Sequence, residues 1–390
     1  MTPGARVAAA ISILDQVLEG AAAEAALTRW ARGSRFAGSK DRAAVRDLVF
    51  DALRARRSLS ALGGAMTGRG LMIGLVLRDD LGLDAIFDGA GHAPPPLSDA
   101  ERVQIADGAE LSDPVAHDLP DWLWPVWCDS LGDDASAAAL AQQSRAPVFL
   151  RVNRRCGLPE AAIAALAAEG ITAISHATVP GCLEVTENAR RIGQSQAYTD
   201  GLIELQDASS QFAIQAVPVP PSARVLDYCA GGGGKALGFA DQHDAVVFAH
   251  DIAPDRMRDL PARAARAGVK ITQLRTGELA RQAPFDVVFC DAPCSGSGTW
   301  RRTPDAKWRL TPADLDRLCA TQAQVIRAAA PLVAPGGVLA YATCSVLRAE
   351  NDAIVDDFLV ANPRWRRDRT EKLRPHATGD GFYLCVLRDV

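Results

Sequence analysis

Two cysteines and an aspartate are the residues of this chain whose types and spacing invite chemistry. Asp291 and Cys294 lie in FDVVFCDAPCSGSGTWRRTPDAKW (285–308). They follow an apolar run, Phe285 to Cys290, whose β-branched and aromatic content suits a strand buried on both faces. Pro293 and the small residues Ser295, Gly296, Ser297 and Gly298 then turn the chain. Fifty positions beyond Cys294, Cys344 and Ser345 follow a second apolar run, Val338 to Thr343, which starts after a Pro-Gly-Gly turn. If both runs are parallel strands of one sheet, both thiols reach the same rim, and open α/β sheets bind ligands outside the carboxyl ends of their strands.

Two thiols beside a carboxylate permit a particular reaction. Carbon 5 of a pyrimidine is too weak a nucleophile to take a methyl group unaided. A thiolate that adds to carbon 6 makes carbon 5 an enamine carbon able to attack a sulfonium methyl. The thiolate needs activation or an electropositive setting. An acid group near N3 and N4 of the base stabilises the adduct, and Asp291 is placed for that. The C5 proton must then leave and the sulfur be expelled, a step in which a second rim residue serves as the base or positions it. The bland alternative is that a cysteine at a strand end is a small core residue. It is the reading given to the thiols of Cys229, Cys290 and Cys385.

The elements that must position these groups are legible as alternating strands and helices. Strands are expected at 224–228, 246–251, 271–274, 285–290, 338–343 and 382–387. Helices are expected at 235–242, 254–267 with a kink at Pro261, 312–332 and 349–361. This alternation implies a parallel, doubly wound α/β sheet. Directly after its first strand comes VLDYCAGGGGK (225–235). Four consecutive glycines let backbone approach a ligand, and the next helix N-terminus favours negative charge. The loop fits neither G-x-G-x-x-G nor the P-loop, and Ala236 stands where a Ser or Thr would hold magnesium, which disfavours an ATPase. Asp251 ends the second strand 20 residues beyond Gly231, where a carboxylate can accept ribose hydroxyls. NAD and S-adenosylmethionine both suit that arrangement. Hydride transfer needs no pair of thiols, so the cysteines select S-adenosylmethionine.

Upstream, residues 1–62 read as helices, with Val7, Ile11, Leu14 and Leu18 at helical spacing and a second helix behind a cap at Ser39. Nine basic residues between Arg29 and Arg57 face three aspartates. Charge runs usually mark solvated faces; the sharper reading is an RNA contact through Arg42, Arg46, Arg54, Arg56 and Arg57. Residues 300–309 carry Arg301, Arg302, Lys307 and Arg309 against Asp305. Trp122, Trp124 and Trp127 suit packing better than base stacking. From Pro147 to Gly201 a small α+β module is expected, with strands at 148–153, 171–175 and 183–185 around a helix at 158–169. Gln206, Asp207 and Ser209 then introduce a further helix.

With 390 residues, 48% hydrophobic and 23% charged, the chain can bury sizeable cores in two or three domains. A net charge of −5 argues against coating nucleic acid through bulk charge. Nine cysteines, odd in number and without a C-x-x-C pair, fit neither a disulfide framework nor a zinc ribbon. A cytoplasmic location without metal is expected. The first residues read as a mature helix, and the absence of an apolar run of about 18 residues indicates no membrane span.

The same residues carry a resemblance. LRVN (150–153), QDASSQ (206–211), DYCAGGGGK, DAPCSGSGTWRRTPDAKW, YATCS (341–345) with Glu350 and Asn351, and DGFY (380–383) are similar to the Sun-type RNA (cytosine-5)-methyltransferases, most closely the bacterial ribosomal-RNA branch called RsmB. The resemblance implies a Rossmann-like methyltransferase domain with Cys344 as nucleophile, Cys294 helping product release, and Asp291 and Lys235 at the cytosine. It implies that S-adenosylmethionine is held by Cys229, Ala230, Gly231, Gly232, Gly233, Gly234, Lys235, Asp251, Arg256, Thr276 and Asp291. Gly232 replaces a proline usual in the family, which softens the loop. The third-strand Asp that meets adenine is absent from LRTGE (274–278), with Thr276 or Glu278 as substitutes. SKDRAAVRDLVFDALRARRSL resembles the NusB-like RNA-binding domain of that branch. The implied layout is a helical NusB-like domain (1–135), an α+β RNA-binding extension (136–205) and the methyltransferase domain (206–390). The implied partner is RNA, ribosomal before transfer RNA. A non-catalytic assembly factor is the competing class; a DNA methyltransferase is disfavoured by the second cysteine.

Overall fold

The computed structural model describes residues 1–107 and 111–390. The chain divides into two compact units: Met1–Arg145 with Trp300–Leu310, and Ala146–Thr299 with Thr311–Val390.

In the first unit, helices Pro3–Leu18, Ala23–Gly33, Ser39–Arg54, Arg56–Leu62 and Gly68–Arg78 enclose a core that includes Val7, Ala10, Leu14, Val45, Val49 and Leu53. The third helix is capped by Gly38, with Ser39 as its first residue. Residues 300–310 are built into this unit. Trp300 stacks on Trp127 with ring centroids 5.9 Å apart, and Trp308 Nε1 donates to the Leu53 carbonyl at 2.7 Å. Arg54 Nε donates to the Arg301 carbonyl at 2.7 Å, and Lys307 Nζ to the Arg54 carbonyl at 3.2 Å. Arg301 and Lys307 are buried. Burial lowers the Lys307 amine to about 8, with Asp118 opposing the shift. The basic run of 300–309 therefore supplies interior residues, and Arg54, read as an RNA contact, is buried with them.

The second unit holds two sheets. The smaller, in the order β2-β3-β1-β4, is antiparallel and consists of β1 (Val148–Val152), β2 (Thr172–Ser175), β3 (Cys182–Glu187) and β4 (Ile203–Leu205). Helix Pro159–Ala168 contributes Ala162 and Leu166 to its core. β4 was not expected, because three residues are too few to show an alternation. The larger sheet comprises β5 (Ala223–Asp227), β6 (Ala245–His250), β7 (Ile271–Leu274), β8 (Phe285–Asp291), β9 (Val333–Thr343), β10 (Trp365–Leu373) and β11 (Phe382–Asp389), in the order β10-β11-β9-β8-β5-β6-β7. The run from β7 to β9 pairs in parallel. β11 runs antiparallel to both neighbours, which corrects the all-parallel expectation. β10, WRRDRTEKL, reads as polar because it is an edge strand whose side chains are mostly exposed.

Side chains alternate between the two faces of this sheet. Val225, Val287 and Phe289 pack with residues of helices Ala208–Ala216, Gly234–Gln242 and Leu260–Arg266. Leu226, Val288 and Leu339 pack with residues of Pro312–Ala329 and Asp352–Ala361. The sheet is therefore doubly wound. The helix expected over 254–267 is a 3₁₀ turn, Pro254–Met257, followed by helix Leu260–Arg266. Pro261 sits in the first turn of that helix, where a missing N–H leaves no bond unmade, so it starts a helix instead of kinking one. The connection order reverses between β5 and β8, the topological position of a ligand crevice.

Candidate active site

The register of β8 against β9 pairs Asp291 with Ala342, so both strands end at one level. Ala292 N donates to the Ala342 carbonyl at 2.9 Å, and Gly298 N to the Cys344 carbonyl at 2.9 Å. The two loops are thus tied together, and Cys294 Sγ lies 3.3 Å from Cys344 Sγ. Gly381 N donates to the Gly298 carbonyl at 2.8 Å. A Cβ on Gly298 would lie 2.3 Å from the Gly381 oxygen, so the DGFY turn can lie against the cysteine loop only because residue 298 is glycine.

The two thiols are electrostatically unequal. The hydrogen bond from Cys294 lowers the Cys344 pKa; burial and the Asp291 charge oppose this, while Lys235 and the Thr299 hydroxyl assist. Cys294 is pushed well above the ordinary thiol range, first by that same bond and then by burial. Of the two, Cys344 is therefore the thiol that ionises first, with Cys294 keeping its proton, a distinction that spacing could not make. Lys235 Nζ contacts Asp291 Oδ2 at 2.6 Å. Burial disfavours the Lys235 charge, but the Asp291 carboxylate outweighs it and raises the amine above its usual value. Cys229 and Cys290 are pushed up by burial; Cys290 is a core thiol as expected, whereas Cys229 is only partly buried and lines the cleft.

Both sulfurs of the pair open on a cleft of about 810 Å³, lined also by Cys229, Ala230, Gly231, Gly232, Gly234, Lys235, Asp251, Arg256 and Asp291. Asp251 is buried. Its Oδ2 accepts from Gly231 N at 2.9 Å and from Arg256 at 3.1 Å, and its Oδ1 from Ala253 N at 2.9 Å. Gly233 does not line the cleft. Its φ is +80°, and a Cβ there would lie 2.4 Å from Leu260 Cδ1, so it forms the turn that presents its neighbours. The Gly232 carbonyl accepts a hydrogen bond from Arg263, a tether in the place where the family's proline would stiffen the loop. Thr276 also lies outside the lining; its hydroxyl is 3.0 Å from His250 Nε2. Glu278 caps Arg275 N at 2.8 Å. The cleft suits S-adenosylmethionine: its volume is in the small-molecule range, Asp251 can accept ribose hydroxyls, and Tyr228, Val325 and Ala328 offer apolar wall.

Several supporting residues had no role assigned from sequence. Arg151, in β1, pairs with Asp241 at 2.8 Å and donates to the Gly234 carbonyl at 3.2 Å and to Gln206, so the LRVN arginine underpins the glycine-loop helix. Ser209 Oγ donates to the Asp380 carbonyl at 2.7 Å, joining QDASSQ to DGFY. His250 lines the cleft, its only sequence signal being its place before Asp251. Asp227, at the end of β5, is raised to about 7 by burial and then by Asp291, against Lys235 and the Ala236 amide. Among the described residues, no group of three or more His, Cys, Asp or Glu is placed to hold a metal, and no helix is long and apolar enough to cross a membrane.

A sheet of this order, with its cofactor cleft opening on two thiols, defines an S-adenosylmethionine-dependent methyltransferase. Residues 215–387 match the family model of the 16S rRNA methyltransferase RsmB/F, and residues 119–190 that of the RsmF/B-like ferredoxin-like domain. The ribosomal RNA small subunit methyltransferase B of Xanthomonas campestris pv. campestris is 34% identical over 70% of this chain and 67% of its own. Its counterpart in Thermus thermophilus is 30% identical over 100% and 99%. The crystal structure of PH0851 is similar in fold, with a TM-score of 0.74 and 22% identity over 99% of each chain. The chain belongs to the RsmB/F methyltransferase family.

Proposed function

We propose that the chain methylates carbon 5 of a cytosine in RNA, small-subunit ribosomal RNA in particular. The observation that carries this reading is the Cys294–Cys344 pair, 3.3 Å apart beside a Lys235–Asp291 ion pair at 2.6 Å. S-adenosylmethionine supplies an electrophilic methyl carbon. Cys344, the more acidic thiol of the pair, adds as its thiolate to carbon 6 and drives electrons to carbon 5. Asp291, oriented by Lys235, meets the N3–N4 edge of the base and stabilises the adduct. After transfer, a water molecule at the rim takes the C5 proton, the freed electron pair closes the C5–C6 double bond, and the bond from carbon 6 to Cys344 breaks with its pair returning to sulfur, with Cys294 assisting release. The relatives' names, which specify ribosomal RNA of the small subunit, support that substrate.

The helical unit is proposed as an RNA-binding domain of NusB-like type. Arg29, Arg32, Arg35, Lys40 and Arg42 are exposed, and Phe36, 75% exposed in their midst, offers a face on which a base can stack. The test is bisulfite sequencing of ribosomal and transfer RNA from cells with and without the gene. One small-subunit cytosine should lose its methyl group on deletion and regain it with the wild-type gene but not with Cys344→Ala, whose turnover should fall by at least about 10³-fold. Cys294→Ala should accumulate as a covalent protein–RNA adduct stable to denaturing electrophoresis. Normal turnover by either variant overturns its assigned role.

A further inference from the structure

We propose that Glu350 is a positioning residue that fixes the two cysteines relative to each other, because its single carboxylate binds the residue following each of them. Glu350 is fully buried. Its Oε1 accepts from Ser295 N at 2.8 Å and from Gln322 Nε2 at 2.9 Å. Its Oε2 accepts from Ser295 Oγ at 2.5 Å and from Ser345 Oγ at 2.5 Å. Ser295 follows Cys294 and Ser345 follows Cys344. Gln322 also donates to the Pro293 carbonyl at 2.9 Å, on the other side of Cys294. The carboxylate thus accepts four hydrogen bonds, three from the residues just after the cysteines and one from a helix that also grips the chain just before Cys294.

Glu350 is itself held. Tyr341 Oη donates to its carbonyl at 2.7 Å, and the adjoining Asn351 bridges Thr343 Oγ1 at 2.6 Å and the Ser345 carbonyl at 2.9 Å. A carboxylate with four charge-assisted bonds is a stiff joint. Its amide analogue cannot replace it, because one amide nitrogen would face donors. The clamp also adds electrostatic sense to the pair. The charged groups acting on the sulfurs are Lys235, which favours the anion on Cys344; Asp291, which disfavours an anion on either sulfur; and Glu350, which favours the proton on Cys294. The neutral groups beside them are the Thr299 hydroxyl and the Tyr341 phenol. Loosening the clamp separates the sulfurs, removes the bond that stabilises the Cys344 anion, and moves the nucleophile away from its productive position. A misplacement of about 1 Å at a reacting atom can cost about 10²-fold in rate.

This inference rests on the proposed chemistry, and the test separates the two. Glu350→Gln protein is assayed without RNA or cofactor for the pH dependence of Cys344 alkylation by iodoacetamide, read by peptide mass spectrometry, and separately for methyl transfer. Alkylation of Cys344 near neutral pH should slow by about tenfold, with its midpoint shifted upward; kcat should fall by about 10²-fold, with the KM for RNA within about twofold. A residue that merely supports the fold would lower the melting temperature and leave the alkylation profile unmoved. Should Glu350→Gln not fold, Ser345→Ala removes one arm of the clamp and should shift the profile in the same direction, with about a tenfold loss in kcat. A folded Glu350→Gln or Ser345→Ala enzyme with the wild-type profile and kcat overturns the proposal while the methyltransferase reading stands. A shifted profile in a protein that methylates no cytosine upholds the clamp and overturns the reading of function.

Discussion

The stretch from Phe285 to Trp308 divides between the two units, and its halves obey different rules. Residues 285–299 end a buried strand and expose a carboxylate and a thiol on a cleft, with loops held by hydrogen bonds among serines and to one buried glutamate that accepts them. Residues 300–308 belong to the helical unit, where Trp300, Arg301 and Lys307 are core residues. The half with little charge carries the candidate site, and the half rich in charge holds a domain together. Charge density in a sequence therefore says less about a binding face than the place where a strand stops.

The contrast predicts that substitutions in the second half cost stability and those in the first cost activity. Trp300→Ala removes a buried ring stacked on Trp127 and should destabilise the helical unit by about 3–5 kcal/mol in denaturant titration of the full chain; a loss below about 1 kcal/mol would mean that the ring is not core. Buried charges in the two units should give opposite pH slopes. Asp227 keeps its proton up to about 7 when folded but releases it near 3.8 when unfolded. The folded state therefore binds more protons in that window, and the stability from this group is full below 3.8 and lost as pH rises through 7. The stability of Asp227→Asn relative to wild type should accordingly grow by on the order of 3 kcal/mol between pH 4 and 7 and level off above. Lys307, near 8 when folded against 10.5 unfolded, gives the reverse: the unfolded state binds more protons between those values, and stability rises with pH there. Lys307→Met should abolish that rise, as denaturant midpoints at pH 8 and 10 would report. The smallest change in stability should come from Ser297→Ala. Its hydroxyl lies 2.8 Å from Ser345 Oγ and accepts from Val346 N at 2.9 Å, so its loss leaves a buried amide unpaired, at about 1–2 kcal/mol. It should nevertheless slow methyl transfer by about tenfold, since it loosens the Cys344 loop.

Much of the site was legible because its signals are local. A strand that stops at Asp291 or Thr343 and runs into small residues announces a rim, and four glycines after a strand announce a cofactor loop. What escaped depends on distance along the chain or on burial. Glu350 was singled out only by the resemblance, without a role; it lies 55 residues from Ser295, and nothing in RAE marks its glutamate as a buried clamp. Arg151 lies 90 residues from Asp241, its partner under the glycine loop. Edge strand β10 escaped because period-2 burial fades where side chains are mostly exposed. Lys307 escaped because the group its amine donates to, the Arg54 carbonyl, leaves no charge pattern in sequence.

The assignment of Trp300–Leu310 to the helical unit also sets a timetable for synthesis. At a ribosomal rate of roughly 5–20 residues per second, about 8–33 seconds separate the emergence of Arg145 from that of Leu310. For that interval Trp127 and Leu53 lack their partners, so the nascent helices must wait, exposed or chaperoned, for a strap encoded far downstream. A fragment ending at residue 145 should inherit that exposure permanently.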